Sequence, residues 1–182
     1  MIFCPLHPEG LFRVSIEKRE DSRGFLARTF CAEEFSAAGI DVSWCQASTA
    51  FNRSQGTLRG LHFQRPPQAD AKLVRCVRGA ILDVVVDIRL GSATFGQSTA
   101  VELTETNRDM IYVPVGFAHG YQTLSSNVEL LYFHSAPYSK FHEGGLAWDD
   151  PALDIAWPLP PTEVSDRDAR HPRLTNLDPI AI

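Results

Sequence analysis

Residues 72–96 read KLVRCVRGAILDVVVDIRLGSATFG, two extended runs rich in aliphatic residues that divide at Arg78 and Gly79 and close on a Gly/Ser turn. That is the grammar of a β-hairpin. Across residues 80–89 one parity, Ala80, Leu82, Val84, Val86 and Ile88, is wholly apolar, while the other carries Asp83, Asp87 and Arg89. Side chains alternate along a strand, so one face should pack on a core and the other should meet solvent or a polar cavity.

The same extended pattern continues downstream through STAVELT, DMIYVP, AHGYQTLS and VELLYFHS, with turn signals between the runs and no helical crossover. An antiparallel sandwich or barrel follows, rather than a parallel α/β sheet. Upstream, Phe12, Val14 and Ile16 alternate with polar residues as in a half-buried strand, and Gly24 in EDSRGFLARTF marks a turn. Residues 31–38 form the one convincing short helix, ending at Gly39, which suits a left-handed cap. Residues 41–51 read as a strand, and GTLRGLHFQ, residues 56–64, as another. After Ser135 the pattern loosens into a segment rich in aromatics, prolines and acids, which would be functional or a surface wrap, with Trp148 and Trp157 as packing anchors. Residues 169–182 carry little signal. There is no internal repeat, low-complexity tract or linker, so residues 1–182 are read as a single domain.

At 182 residues, 44% apolar and 21% charged, the composition is that of a globular protein with a sizeable core. A net charge of −5 and a pI near 5.6 argue against nucleic acid as partner, although an anionic small ligand remains compatible. Cys4, Cys31, Cys45 and Cys76 are scattered, without a CxxC pair or a Cys/His cluster, so reduced thiols are expected and no zinc site or disulfide framework is signalled. No apolar run approaches membrane-spanning length and the start has no signal-peptide pattern. A cytoplasmic location is expected.

Chemistry concentrates in GTLRGLHFQ. Arg59 is a planar, permanent cation suited to phosphate or carboxylate, and His62 is the side-chain type that exchanges protons near neutral pH. In a regular strand the two have opposite parity and face opposite ways, so a shared pocket requires a bulge or twist near Gly60. A base at His62 needs an acid of higher pKa on the other face of its substrate, and Tyr132 in LLYFHS suits that role as well as it suits a core tyrosine. Lys72 and His119 could hold positive charge near an oxyanion, although each type is more often structural.

Taken in order, DSRGF, LRGLHFQ, KLVRCVRGAILDVVVDIRLGSATFG, VPVGFAHGYQTLS and a tyrosine-containing stretch before WDDP resemble the dTDP-4-dehydrorhamnose 3,5-epimerases of the cupin superfamily. The resemblance implies an all-β double-stranded β-helix jelly roll with one or two short helices, working as a homodimer without metal or organic cofactor. It implies a nucleotide-linked 4-keto-6-deoxy sugar, expected to be dTDP-linked, with inversion at C3, C5 or both. By position, His62 matches the base, Tyr132 the acid, Asp168 the carboxylate that orients the base, and Lys72 and His119 the groups that stabilise the enolate oxygen. Arg23 and Arg59 match phosphate contacts, Phe25 and Gln46 pocket lining, Tyr138 the aromatic that stacks on the nucleotide base, and Glu143 a further ligand contact.

The departures from the family pattern cluster at ligand-reading positions. Leu26 and Arg28 replace an aromatic and an acid, Ala47 and Ser48 follow Gln46 where aspartate and asparagine are usual, the spacing from Gln46 to Arg59 is one residue longer, and Pro137 precedes Tyr138. A single-centre epimerase or ketoisomerase is the nearest rival reading, and a non-catalytic sugar-nucleotide-binding cupin is the rival from another class. A metal-dependent cupin would need a histidine two residues after His62, where Gln64 stands.

Overall fold

The computed structural model describes residues 1–182. Two antiparallel sheets face each other. The first has six strands in the order β1 (Ile2–Pro5), β2 (Phe12–Ser15), β10 (Met110–Val113), β7 (Lys72–Arg78), β12 (Val128–His134) and β5 (Gln46–Asn52). The second has five, β13 (Glu143–Gly145), β6 (Leu58–Gln64), β11 (Phe117–Thr123), β8 (Ala80–Asp87) and β9 (Ser98–Thr104). A separate two-stranded ribbon joins β3 (Arg19–Asp21) to β4 (Gly24–Leu26).

From β5 to β8 the chain passes from one sheet to the other at every step, and it does so again from β9 to β13. This is the double-stranded β-helix, or jelly roll. It corrects the hairpin expected at Gly79: β7 pairs with β10 and β12, whereas β8 pairs with β11 and β9. One residue is too short to fold β8 back beside β7. Gly79, at φ +80°, is instead the corner where the chain changes sheets.

The apolar parity of β8 also turns out to face outward. Val84, Val86 and Ile88 pack with Leu61 and Phe63 of β6 under a cover made by Leu146, Leu153, Leu177 and Ile180. The mixed parity supplies the space between the sheets, where Ile81 and Val85 join Val74, Ile111, Tyr121 and Leu130. The strand is therefore buried on both faces, and Asp83 and Asp87 are fully buried with it. The irregular C-terminal segment is the reason, since Ile180 bridges to Arg89 and seals a face that would otherwise be wet.

On the outer side of the six-stranded sheet lies α1 (Ala32–Ala37), whose Phe35 packs among Val14, Leu73, Met110 and Tyr112. Six residues cannot hold a helix alone. Burial of Phe35, worth about 2–3 kcal/mol, fixes it instead, and Gly39 at φ +80° ends it. Residues 41–45, expected as strand, are not part of one; Val42 and Trp44 pack on the same cluster and the strand begins only at Gln46.

Candidate active site

Cross-strand rows on the inner face of the six-stranded sheet change character along its length. Directly paired residues share a face, so the register gives the rows Ala50–Leu130–Cys76, then Ser48–Tyr132–Val74, then Gln46–His134–Lys72. The sandwich thus runs from apolar core to polar end within four residues of β12. A cavity of about 230 Å³ opens at that end, with Gln46, Lys72 and His134 on one wall and His62 and Phe63 on the other.

The second wall depends on a break in β6. His62 pairs with His119 and Arg59 with Tyr121, so three residues of β6 span two of β11, an extra residue placed at Gly60–Leu61. The bulge restores common parity to Arg59 and His62, as the sequence requires of a shared site. Gly60 has φ +129°, and a Cβ there would lie 2.6 Å from Gly120 Cα. Two backbones meet at a distance only glycine allows.

His62 Nε2 lies 2.8 Å from Asp168 Oδ1, and the other carboxylate oxygen accepts the Gly60 N–H at 3.1 Å. Asp168 is buried, and its 3-10 turn (Asp168–Arg170) brings it up beside the bulge. Burial pushes its carboxyl upward, but His171, His62 and the Gly60 amide outweigh that and hold it well below the usual carboxylate range. A charged Asp168 keeps the proton on His62 Nε2 and leaves the lone pair on Nδ1, which has no protein partner. Arg167 Nη2 is 3.3 Å from the same Nε2, yet a nitrogen donating to Asp168 cannot also accept from Arg167.

Tyr132 comes from the opposite sheet and reaches across it, its ring edge-on to His119 with 6.1 Å between centroids. Burial first, then the neighbouring Tyr121 hydroxyl and Asp83, raise its pKa well above the usual value, with Arg59 acting the other way. The phenol is therefore a proton-bearing group throughout the neutral range. His119 is buried and bonded to Asp83 at 2.8 Å, and neither it nor Tyr132 is among the residues that line the cavity. Asp83, on the mixed parity of β8, is fully buried beside His119 rather than facing solvent as the parity reading expected.

Lys72 is nearly buried, 3.2 Å from Asp70, and Glu143 on β13 accepts from Tyr138 and Arg167, each at 3.0 Å. Tyr138, 62% exposed, stands at the cavity mouth. Ser48 sits one row further in and accepts from Gln46 at 3.2 Å. Arg59 donates to Asn52 across the sheets at 2.8 Å and borders a second groove on the far side of His62.

Arg23 and Phe25 are not brought in. Both lie on the β3–β4 ribbon, Arg23 paired with Asp21 and Phe25 held beneath Lys18 and Arg108, and neither lines the cavity. Asp70, His134, Arg167 and His171 were not singled out by sequence reading. For His134 the signal was present, since it shares parity with Tyr132; Arg167 stands beside Asp168; Asp70 and His171 offered none.

His62, Asp168 and His171 place potential ligand atoms within 4.8 Å of one another, a spacing that could hold a metal ion. The fixed charge of Arg167, 3.5 Å from Asp168, opposes a cation in that position.

A jelly roll with a histidine–carboxylate pair on one sheet and a buried, protonated tyrosine on the facing sheet defines a protein of the cupin type with groups suited to acid–base chemistry. The sequence profile of dTDP-4-dehydrorhamnose 3,5-epimerase matches residues 5–176. A dTDP-4-dehydrorhamnose 3,5-epimerase of Sinorhizobium fredii is 44% identical over 86% of this chain and 81% of its own. Among solved structures, the dTDP-6-deoxy-D-glucose-3,5-epimerase of Legionella pneumophila, in complex with dTDP-4-keto-L-rhamnose, aligns with a TM-score of 0.91 at 34% identity, covering 97% of this chain and 94% of that one. A 3′-monoepimerase of Streptomyces bikiniensis in complex with dTDP-quinovose aligns at 0.87 and 36% identity, covering 94% and 87%. The chain belongs to the dTDP-4-dehydrorhamnose 3,5-epimerase family and is an isomerase of the epimerase class.

Proposed function

We propose that this enzyme epimerises a dTDP-linked 4-keto-6-deoxy sugar by removing a proton alpha to the C4 ketone at His62 and returning one from Tyr132. The observation that carries this reading is the placement of the two groups on opposite sheets, His62 backed by Asp168 and Tyr132 kept protonated by burial. A ketone acidifies both neighbouring C–H groups, so one pocket of this kind serves C3, C5 or both. Lys72 would stabilise the enolate oxygen, and His119 would support that end of the site beside Tyr132. General acid–base groups of this sort each contribute about 10²–10⁴-fold. Arg59, Gln46, Ser48, Tyr138 and Glu143 would hold the nucleotide–sugar.

Arg23 and Phe25 fit this reading if the working unit is a homodimer, the ribbon of one copy serving the cavity of another. The four cysteines are unpaired, in keeping with a reducing, cytoplasmic setting. The test is incubation with dTDP-4-keto-6-deoxyglucose in deuterated water, followed by NMR. Deuterium at C3, C5 or both is expected; its absence from both positions would sink the assignment, and its absence after His62→Ala alone would support the base.

A further inference from the structure

The row Gln46–His134–Lys72 contains a group that the acid–base pair does not use. His134 follows Tyr132 by two residues on β12, so the two share a face, and their rings stack at 10° with 5.8 Å between centroids. His134 Nδ1 lies 2.9 Å from Asp70 Oδ2. Asp70 is buried and fully occupied: Oδ2 also takes Lys72 Nζ at 3.2 Å, and Oδ1 accepts the Ser135 and Ala136 amides at 3.0 and 3.2 Å. Burial raises the Asp70 carboxyl, but His134, Lys72 and the Ala136 amide more than offset it, so it stays an acceptor.

An ionised Asp70 places the His134 proton on Nδ1 and leaves the lone pair on Nε2. Nε2 has no protein partner, and the ring lines the cavity opposite His62. A neutral imidazole in this tautomer accepts at that nitrogen and has no proton to give there, so His134 does not duplicate Tyr132. Beside it in the same row stands Lys72, directly paired across β7 and β12. The wall therefore presents a cation and an acceptor about 5 Å apart at their backbones.

That pairing matches one arrangement of a sugar: a carbonyl oxygen facing the cation and a hydroxyl on the adjacent carbon facing the acceptor. We infer that His134, held by Asp70, is a substrate-reading residue whose Nε2 accepts a hydrogen bond from the C3 hydroxyl of the 4-keto sugar while Lys72 engages the ketone. The inference rests on the epimerase reading above and adds the hydroxy-ketone as the recognised unit.

The test is a substrate–variant cycle read at C5, where exchange does not need the C3 hydroxyl. Deuterium incorporation at C5 is measured for the parent 4-keto sugar nucleotide and its 3-deoxy analogue, with wild type, His134→Asn and His134→Gln. Asparagine keeps a donor for Asp70 and loses the reach of Nε2, whereas glutamine retains an acceptor near that position. His134→Asn should lower kcat/KM about tenfold on the parent, the loss of one hydrogen bond, and by less than threefold on the 3-deoxy analogue. His134→Gln should recover most of the parent rate. Equal losses on both substrates, or no loss on either, would overturn the role of His134 while leaving the epimerase intact. If the wild type exchanges only C3 of the parent, the same cycle is read there; absence of exchange at both C3 and C5 of the parent would overturn the epimerase reading itself, and this inference with it.

Discussion

Asp168 gathers four neighbours: His62, the Gly60 amide, His171 at 3.6 Å and Arg167. Its depressed pKa means that it contributes its charge above the ordinary carboxylate range and loses it only as pH falls far below that range. It should therefore add no limb to the activity profile where the protein is folded. Asp168→Asn should lower kcat about 10²–10³-fold, since an amide no longer enforces the Nε2–H tautomer, and no change of pH between 5 and 9 (roughly, the working range of such proteins) should restore it. For Tyr132 the shift runs the other way. A phenol with a raised pKa gives no alkaline loss of kcat/KM before about pH 10, and Tyr132→Phe should suppress inversion while exchange by the base persists, a difference NMR in deuterated water separates.

At the scale of elements, the bulge in β6 ties the site to two glycines. Gly60→Ala forces a Cβ to within 2.6 Å of Gly120 Cα at a φ of +129°, and should cost about 2–3 kcal/mol as well as activity, which a denaturant titration beside a rate measurement would show. The loop after β8 is held differently. Asp87, fully buried, accepts from Arg89, Ser92 and Thr94, and although burial raises its carboxyl these partners bring it down to about 2. A folded value below the unfolded one stabilises above about pH 4 and is lost as pH falls through 2. Asp87→Asn should thus cost about 2 kcal/mol at neutral pH and flatten acid unfolding between pH 4 and 2, followed by circular dichroism. The bulge was legible because Arg59 and His62 clash in parity, a local geometric fact. The sheet-crossing at Gly79 was not, because which strand β8 pairs with is decided by β11, some forty residues further on. The facing of β8 was misread for a related reason: the cover over its apolar parity comes from residues 146–180, whose own pattern is irregular.

Over the whole molecule, that cover makes the C-terminal segment part of the core. Deleting residues 174–182 removes Leu174, Leu177 and Ile180 from against Leu61, Val86 and Ile88. Each buried aliphatic side chain is worth about 1.5–3 kcal/mol, so the loss rivals the stability of an ordinary domain, and a thermal melt should lose cooperativity. If the ribbon serves a second copy, light scattering should give twice the mass of 20.2 kDa, and Arg23→Ala should weaken substrate binding without altering the melt; a monodisperse monomer with full activity would refute that arrangement. The alternation of the chain between sheets also has a temporal side. β2 must wait for β10 and β5 for β12, as the pairs Val14 with Met110 and Gln46 with His134 show. Most of the chain must leave the ribosome before the first half finds its partners, so maturation belongs after synthesis, on the slow time scale of distant strand pairing, roughly milliseconds to seconds. Until then the apolar strands β6 to β8 are exposed together, the condition in which a folding chain is most open to aggregation.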